Sequence, residues 1–158
     1  MTITIRKALP EDVHGVRYVG IISWPATYGP LKGAAYVVEG LDSYWSAEAI
    51  ETAITAGSVD VAESEDGIVG VVHTEELGAD LVMWKLYVLP QWQHHGVGRG
   101  LVNAAKDRAR EQGCGLLTEY EPSNERVRSF YLREGFNATT APWPGTEAVW
   151  LRWSESPE

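Results

Sequence analysis

The sequence predicts a single α/β (α+β) domain over residues 1–158, with a mixed, mostly antiparallel central sheet of about six to seven strands flanked by about four helices. Three observations lead there. At 158 residues the chain is about one domain long and can bury most of its apolar surface. Hydrophobic residues make up 44% and charged residues 22%, a globular rather than a disordered balance. Strand-period and helix-period segments alternate, with hairpins in the middle and strand-helix-strand units later, which calls for a mixed sheet covered by helices.

Taken in order, "TITIRKA" alternates polar and β-branched residues and reads as a first strand. "LPEDVHGVRYVGIISW" then places Pro10 and acidic residues ahead of an apolar periodicity, the signature of a helix start. "PATYGPLKGAAYVVEGLDSYW", with two prolines and three glycines, is expected to be less regular, and "SAEAIETAITAG" is a short helix begun by Ser46 and Glu48 and closed by Gly57. Strands follow in "SVDVAESE", "IVGVVHTEE" and "ADLVMWKLYVLP", joined by Asp66-Gly67 and a turn near Gly78. The third is almost continuously apolar, as a central strand covered on both faces would be. In "GVGRGLVNAAKDRAREQG", Val97, Leu101, Ala105 and Ala109 form one apolar stripe of a helix that Gly113 ends. A strand in "GLLTEYEP", a helix in "SNERVRSFYLREGF" closed by Gly135, and a last strand in "TEAVWLRW" complete the chain.

Thirteen Lys and Arg against twenty-two Asp and Glu give a net charge of −9, which disfavours nucleic acid and mildly favours cationic partners. The single Cys114 cannot form an internal disulfide or a thiolate metal cluster, which fits a reducing compartment. No apolar run has the length of a signal peptide core or a membrane span, so a cytoplasmic protein without membrane association is expected. His14 and His73 have no partner at metal-ligand spacing, no GxSxG elbow occurs, and no metal site is expected.

The segment "QHHGVGRG", Gln93 to Gly100, places three glycines within five positions at a helix start, although glycine lowers helix stability by roughly 0.5–1 kcal/mol relative to alanine. The first turn of a helix carries N–H groups without intrahelical partners and the positive end of the macrodipole, so anions bind there. A Walker A loop needs Gly-Lys-Ser/Thr, and Arg99-Gly100 follows Gly98 instead. A dinucleotide GxGxxG would need glycine where Leu101 stands, and six residues, Pro90 to His95, separate the turn from its strand. Glu119 and Glu121 stand where a ribose-binding acid would be expected, so this reading survives as a poor alternative.

"QHHGVG" also resembles the Q/R-x-x-G-x-G/A signature of the GNAT superfamily of acetyl-coenzyme A dependent N-acyltransferases, and "LYVLPQWQ" looks like the family's lead-in. "EYEPSNERVRSFYLREGF" is similar to the downstream segment, an acid on a strand followed by Asn, then Phe-Tyr on a helix, then Gly-Phe. Order and spacing agree from about residue 80 to 136, and the element order of the whole chain is compatible. "SWPATYGPL" resembles a segment between the first two helices of one broad subgroup.

The resemblance implies a GNAT-like sheet with a splayed central strand pair, and acetyl-CoA as cosubstrate. It implies that Gln93, His94, His95, Gly96, Val97 and Gly98, with Arg99 and Gly100, cradle the pyrophosphate, and that backbone groups of Leu86 and Val88 hold the pantetheine arm as an added strand would. By the same resemblance Asn124 binds that arm and Tyr131 protonates the departing thiolate; as ordinary packing, Tyr131 is a core aromatic beside Phe130. Glu119 has the spacing from Asn124 and Tyr131 seen in peptide N-terminal acetyltransferases of the family, and would deprotonate the incoming ammonium directly or through water. Strand alternation puts Glu121 on the same face, so either acid can serve, or both only attract a cation or face solvent.

The expected reaction is acetyl transfer to a primary amine of a small molecule or peptide by direct attack in a ternary complex; the alternative is a non-catalytic coenzyme A-binding sensor or partner module. The resemblance implies that the first half and the chain end build the acceptor pocket. Trp24, Tyr28, Tyr36, Tyr44, Trp45, Trp143, Trp150 and Trp153 are there to wall it, or to fill the core. A homodimer is a tendency of the family.

Overall fold

A computed structural model of the protein describes residues 2–155, so residue 1 and residues 156–158 of the expected domain lie outside the described residues. The elements are β1 (Thr4–Lys7), α1 (Val13–Lys32), α2 (Ala34–Tyr44), α3 (Ala47–Thr55), β2 (Val59–Ser64), β3 (Gly67–Leu77), β4 (Asp80–Val88), α4 (Val97–Gln112), β5 (Leu116–Tyr120), α5 (Glu125–Arg133), β6 (Asn137–Ala138) and β7 (Val149–Trp153), with 3-10 turns at Pro10–Asp12 and Pro90–Trp92. The seven-stranded sheet has the order β1-β2-β3-β4-β5-β7-β6. The pairs β1–β2, β2–β3, β5–β7 and β6–β7 are antiparallel, and β4–β5 is parallel. The mixed, mostly antiparallel sheet expected from the sequence is therefore present, with one more helix, α2, and one more strand, β6, than the segments picked out above.

The chain divides into two compact units. One runs through His73 and includes Lys85–Leu101; the other takes Thr74–Trp84 and the chain from Val102 onward.

In the first unit Arg6 of β1 donates to both carboxylate oxygens of Asp12, at 2.7 and 3.1 Å, and to Glu63 of β2 at 3.1 Å. Asp12 also accepts from the Leu9 N–H at 2.7 Å, fixing the turn into α1. An irregular stretch is expected after Trp24, whereas α1 continues through Pro25 and Pro30 and α2 follows. The prolines leave the carbonyls of Ile21 and Ala26 without their helical donors, and Ile21 is exposed, so water can serve it instead. Gly33, at φ 86°, makes the break.

Two glycines inside these helices hold the packing together. A Cβ on Gly20 would lie 2.1 Å from the Trp45 ring, and one on Gly40 would lie 2.4 Å from that of Trp24. The Trp24 indole donates to the Val37 carbonyl at 3.1 Å, and Trp24 sits among Tyr28, Tyr36, Tyr44 and Tyr87. Ser46 caps α3 by accepting from the Ala49 N–H at 3.1 Å, in agreement with its sequence position.

In the second unit β4 pairs with β5 over three residues, Leu81↔Leu116 to Met83↔Thr118, and β5 pairs with β7 over five, Leu116↔Trp153 to Tyr120↔Val149. Arg152 of β7 donates to Asp80 of β4 at 3.0 and 3.1 Å, and Asp80 also accepts from the Gly115 N–H at 2.8 Å. Lys106, buried on α4, donates to the Glu134 carbonyl at 2.6 Å and lies over the Phe136 and Trp153 rings. No helix among the described residues is long and apolar enough to cross a membrane.

Candidate active site

Two groups of the residues singled out above lie in different units. In the first unit the end of β4 leads into the glycine turn. Leu89 donates to the Val69 carbonyl at 2.9 Å, Pro90–Trp92 forms a 3-10 turn, and Gln93 donates to the Pro90 carbonyl at 3.2 Å. The side-chain nitrogen of Gln93 reaches back to the Val88 carbonyl at 3.3 Å, and the Ser23 hydroxyl donates to that oxygen at 3.4 Å. Gln93 therefore braces the loop, and the Val88 carbonyl already has two donors. Leu86 lies two residues earlier on β4, partly exposed.

Gln93, His94, His95 and Gly96 are all exposed, while Trp92 before them and Val97 after them are buried. The His95 ring meets the Trp92 ring edge to face at 6.0 Å. The turn is thus solvent-facing but anchored at both ends. His94, at φ 65°, and Gly96, at φ 79°, both have the positive φ that alternates with right-handed residues where backbone N–H groups form an anion-binding concavity. His94 in that conformation was not legible in the sequence, because non-glycine residues adopt it rarely.

The Gly96 carbonyl accepts from the Gly100 N–H at 3.1 Å, so α4 begins here. By helix geometry Val97 and Gly98, in the first turn, have no acceptor for their N–H groups four residues back within the helix. The glycines divide their roles. A Cβ on Gly96 would meet nothing within 4 Å, so its φ is what demands glycine, whereas a Cβ on Gly100 would lie 3.2 Å from Ile5. Gly100, grouped with the phosphate cradle by resemblance, uses its N–H inside the helix and its bare Cα to let α4 approach β1. Arg99 is exposed.

In the second unit Glu119 is half-buried on β5, directly across the ladder from Trp150. Burial pushes its carboxyl above the ordinary range. Among the described residues that carboxylate has no hydrogen-bond or ion-pair partner. Asp12 and Asp80 differ: the guanidinium groups of Arg6 and Arg152 hold them below that range.

Alternation cannot carry Glu121 to the face of Glu119, because β5 ends at Tyr120. Glu121 lies in the turn, where its carbonyl accepts from the Asn124 N–H at 2.8 Å. Asn124 caps α5 with its side-chain oxygen, accepting from Val127 at 3.3 Å, which leaves the amide nitrogen to donate elsewhere. Tyr131, buried on α5, packs against Phe130 and Phe136 at 5.5 and 5.4 Å between ring centroids.

The late tryptophans separate. Trp153 carries Lys106 and Arg110 over its ring. Trp143 and Trp150 instead join Trp84, with centroids 5.3 to 6.4 Å apart. Trp84 was hidden in the sequence by the uniformly apolar strand around it, and so was Tyr87, which joins the Trp24 cluster. No group of three or more His, Cys, Asp or Glu among the described residues is placed to hold a metal ion.

Comparison with known proteins identifies the class. Residues 55–138 match the family model described as an acetyltransferase (GNAT) domain. The chain is 30% identical over 137 residues to the aminoglycoside N(6')-acetyltransferase type 1 of Stenotrophomonas maltophilia, covering 86% of this chain and 87% of that protein. It is 24% identical over 145 residues to the spermidine N(1)-acetyltransferase of Thermoplasma acidophilum, covering 86% and 89%. Among solved structures, the PaiA N-acetyltransferase of Thermoplasma acidophilum in complex with coenzyme A superposes with a TM-score of 0.88 over 98% of this chain and 99% of that one; at 20% identity this likeness establishes the fold. The chain belongs to the GNAT acetyltransferase family, and it is an acyltransferase.

Proposed function

We propose that this chain, as one acyltransferase domain over residues 1–158, transfers the acetyl group of acetyl-CoA to a primary amine of a small molecule or peptide by direct attack in a ternary complex. The observation that carries this reading is the exposed Gln93–Gly96 turn, anchored by Trp92 and Val97 and leading directly into the first turn of α4. That arrangement suits a diphosphate: exposed backbone, the positive end of a helix and no side chain at Gly96. The relatives whose names give amine substrates, spermidine and aminoglycosides, support an amine acceptor.

In this reading Glu119 takes a proton from the incoming ammonium, its unpartnered and partly desolvated carboxylate being suited to a base near neutral pH. The freed amine attacks the thioester carbonyl, forming the C–N bond. As the C–S bond breaks, the nitrogen loses its second proton to solvent. The Tyr131 hydroxyl protonates the sulfur and regains its own proton from solvent. Asn124 holds the pantetheine arm through its amide nitrogen, and Leu86 supplies backbone groups to it.

The test is thiol release from acetyl-CoA across a panel of amines. Turnover with at least one primary amine, strongly reduced in Tyr131→Phe, is the expected result. Absence of turnover with every amine, in protein that binds coenzyme A by calorimetry, would overturn it.

A further inference from the structure

One face of the second unit carries Glu119 beside a patch of tryptophans. Val82, Leu117 and Trp150 form a buried cluster there, with Leu77, Trp84 and Ala141 packed on it. Glu119 belongs to this face on two grounds: it is two residues beyond Leu117 on β5, and it stands opposite Trp150 in the antiparallel register. Trp143, on the segment between β6 and β7, lies 5.3 Å from Trp150 and 6.4 Å from Trp84, and remains 42% exposed.

This face has the chemistry of a cation site. Indole faces carry the negative side of a quadrupole and attract ammonium groups. Glu119 is a half-buried carboxylate with no partner among the described residues, a costly placement unless a cation arrives to pair with it. The chain's net charge of −9 draws multiply charged cations rather than anions. Glu119 alone could hold one ammonium. The exposed Trp143 ring, one tryptophan further along the same face, offers a second place for positive charge or for the aliphatic chain leading to it.

We propose that Glu119 with Trp84, Trp143 and Trp150 forms the acceptor-recognition surface, and that it selects an aliphatic amine bearing two positive charges: the reacting ammonium at Glu119 and a second ammonium over Trp143. This rests on the acyl-transfer reading above. Trp150 and Trp84 are positioning residues, since they hold Trp143 in place by ring packing, tilted against Trp84 and edge to face against Trp150.

The experiment compares kcat/KM for 1,4-diaminobutane, butylamine and 4-amino-1-butanol, which match in chain length and differ in the far group. The parent protein is expected to prefer the diamine over both others by about tenfold, the effect of one well-placed cation–π contact. Trp143→Leu should bring that preference close to one, and Trp143→Phe, which keeps a ring, should retain most of it. Equal use of the three amines, or a diamine preference that survives Trp143→Leu, overturns the proposal. Saturable quenching of tryptophan fluorescence by 1,4-diaminobutane, weakened in Trp143→Leu, is expected independently of turnover. If no amine is acetylated, the acyl-transfer reading fails, and the fluorescence titration still decides this one: no saturable quenching refutes it.

Discussion

Gly20 lies against the ring of Trp45, so close that a Cβ on the glycine would lie 2.1 Å from it. Trp45 is almost fully buried and also meets Tyr87 edge to face at 5.4 Å, so it has little room to retreat. Gly20→Ala should therefore destabilise the protein. The overpacking penalty of about 1–3 kcal/mol outweighs the gain of roughly 1 kcal/mol in helix propensity. Chemical denaturation should place the midpoint of Gly20→Ala below that of the parent protein.

Gly96→Ala tests the turn. The left-handed φ of 79° should lower stability by about 1–2 kcal/mol, since no neighbour contributes a clash. If the turn cradles the coenzyme diphosphate, calorimetry should also show coenzyme A binding weakened by about tenfold or more, because relaxing φ moves the amides. Gly100→Ala should leave that affinity much less changed, as its crowding is with Ile5.

Tyr131→Phe keeps the ring that packs on Phe130 and Phe136 and removes only the hydroxyl. In the proposed role of acid to the leaving thiolate, kcat should fall about 10²-fold with little change in KM. Thermal denaturation should show the fold intact.

The pH dependence divides the carboxylates. Burial raises the Glu119 carboxyl, so the folded state holds that proton more tightly than the unfolded chain does, and ionising it subtracts stability as pH rises past the ordinary carboxylate range. As a base, Glu119 should give kcat/KM an acid limb that climbs through its raised pKa, and Glu119→Gln should abolish that limb. Asp12 and Asp80 have lowered pKa values, so their bonds to Arg6 and Arg152 stabilise the protein above the ordinary range and are lost as pH falls through the folded-state values. Asp80→Asn should lower stability at neutral pH by about 1–2 kcal/mol, mostly through the Gly115 N–H and Arg152 losing a charged acceptor.

Sequence alone determined most of the local elements and the position of the glycine turn. Period-two and period-3.6 patterns, the Asp66-Gly67 turn, the Ser46 cap and the glycine terminators are each written in a few adjacent residues, because caps and turns are satisfied locally. Tertiary structure decided the rest. It carried α1 through two prolines, because Trp24 and Trp45 pack into glycine-lined gaps that no local pattern records. It gave Gly96 and Gly100 unlike tasks, because Ile5 is distant in sequence. It took Glu121 off the strand while leaving Glu119 across from Trp150, and it gathered Trp84, Trp143 and Trp150 on one face. Such pairings join residues tens of positions apart, and their energies depend on register and burial, which exist only once the sheet has formed.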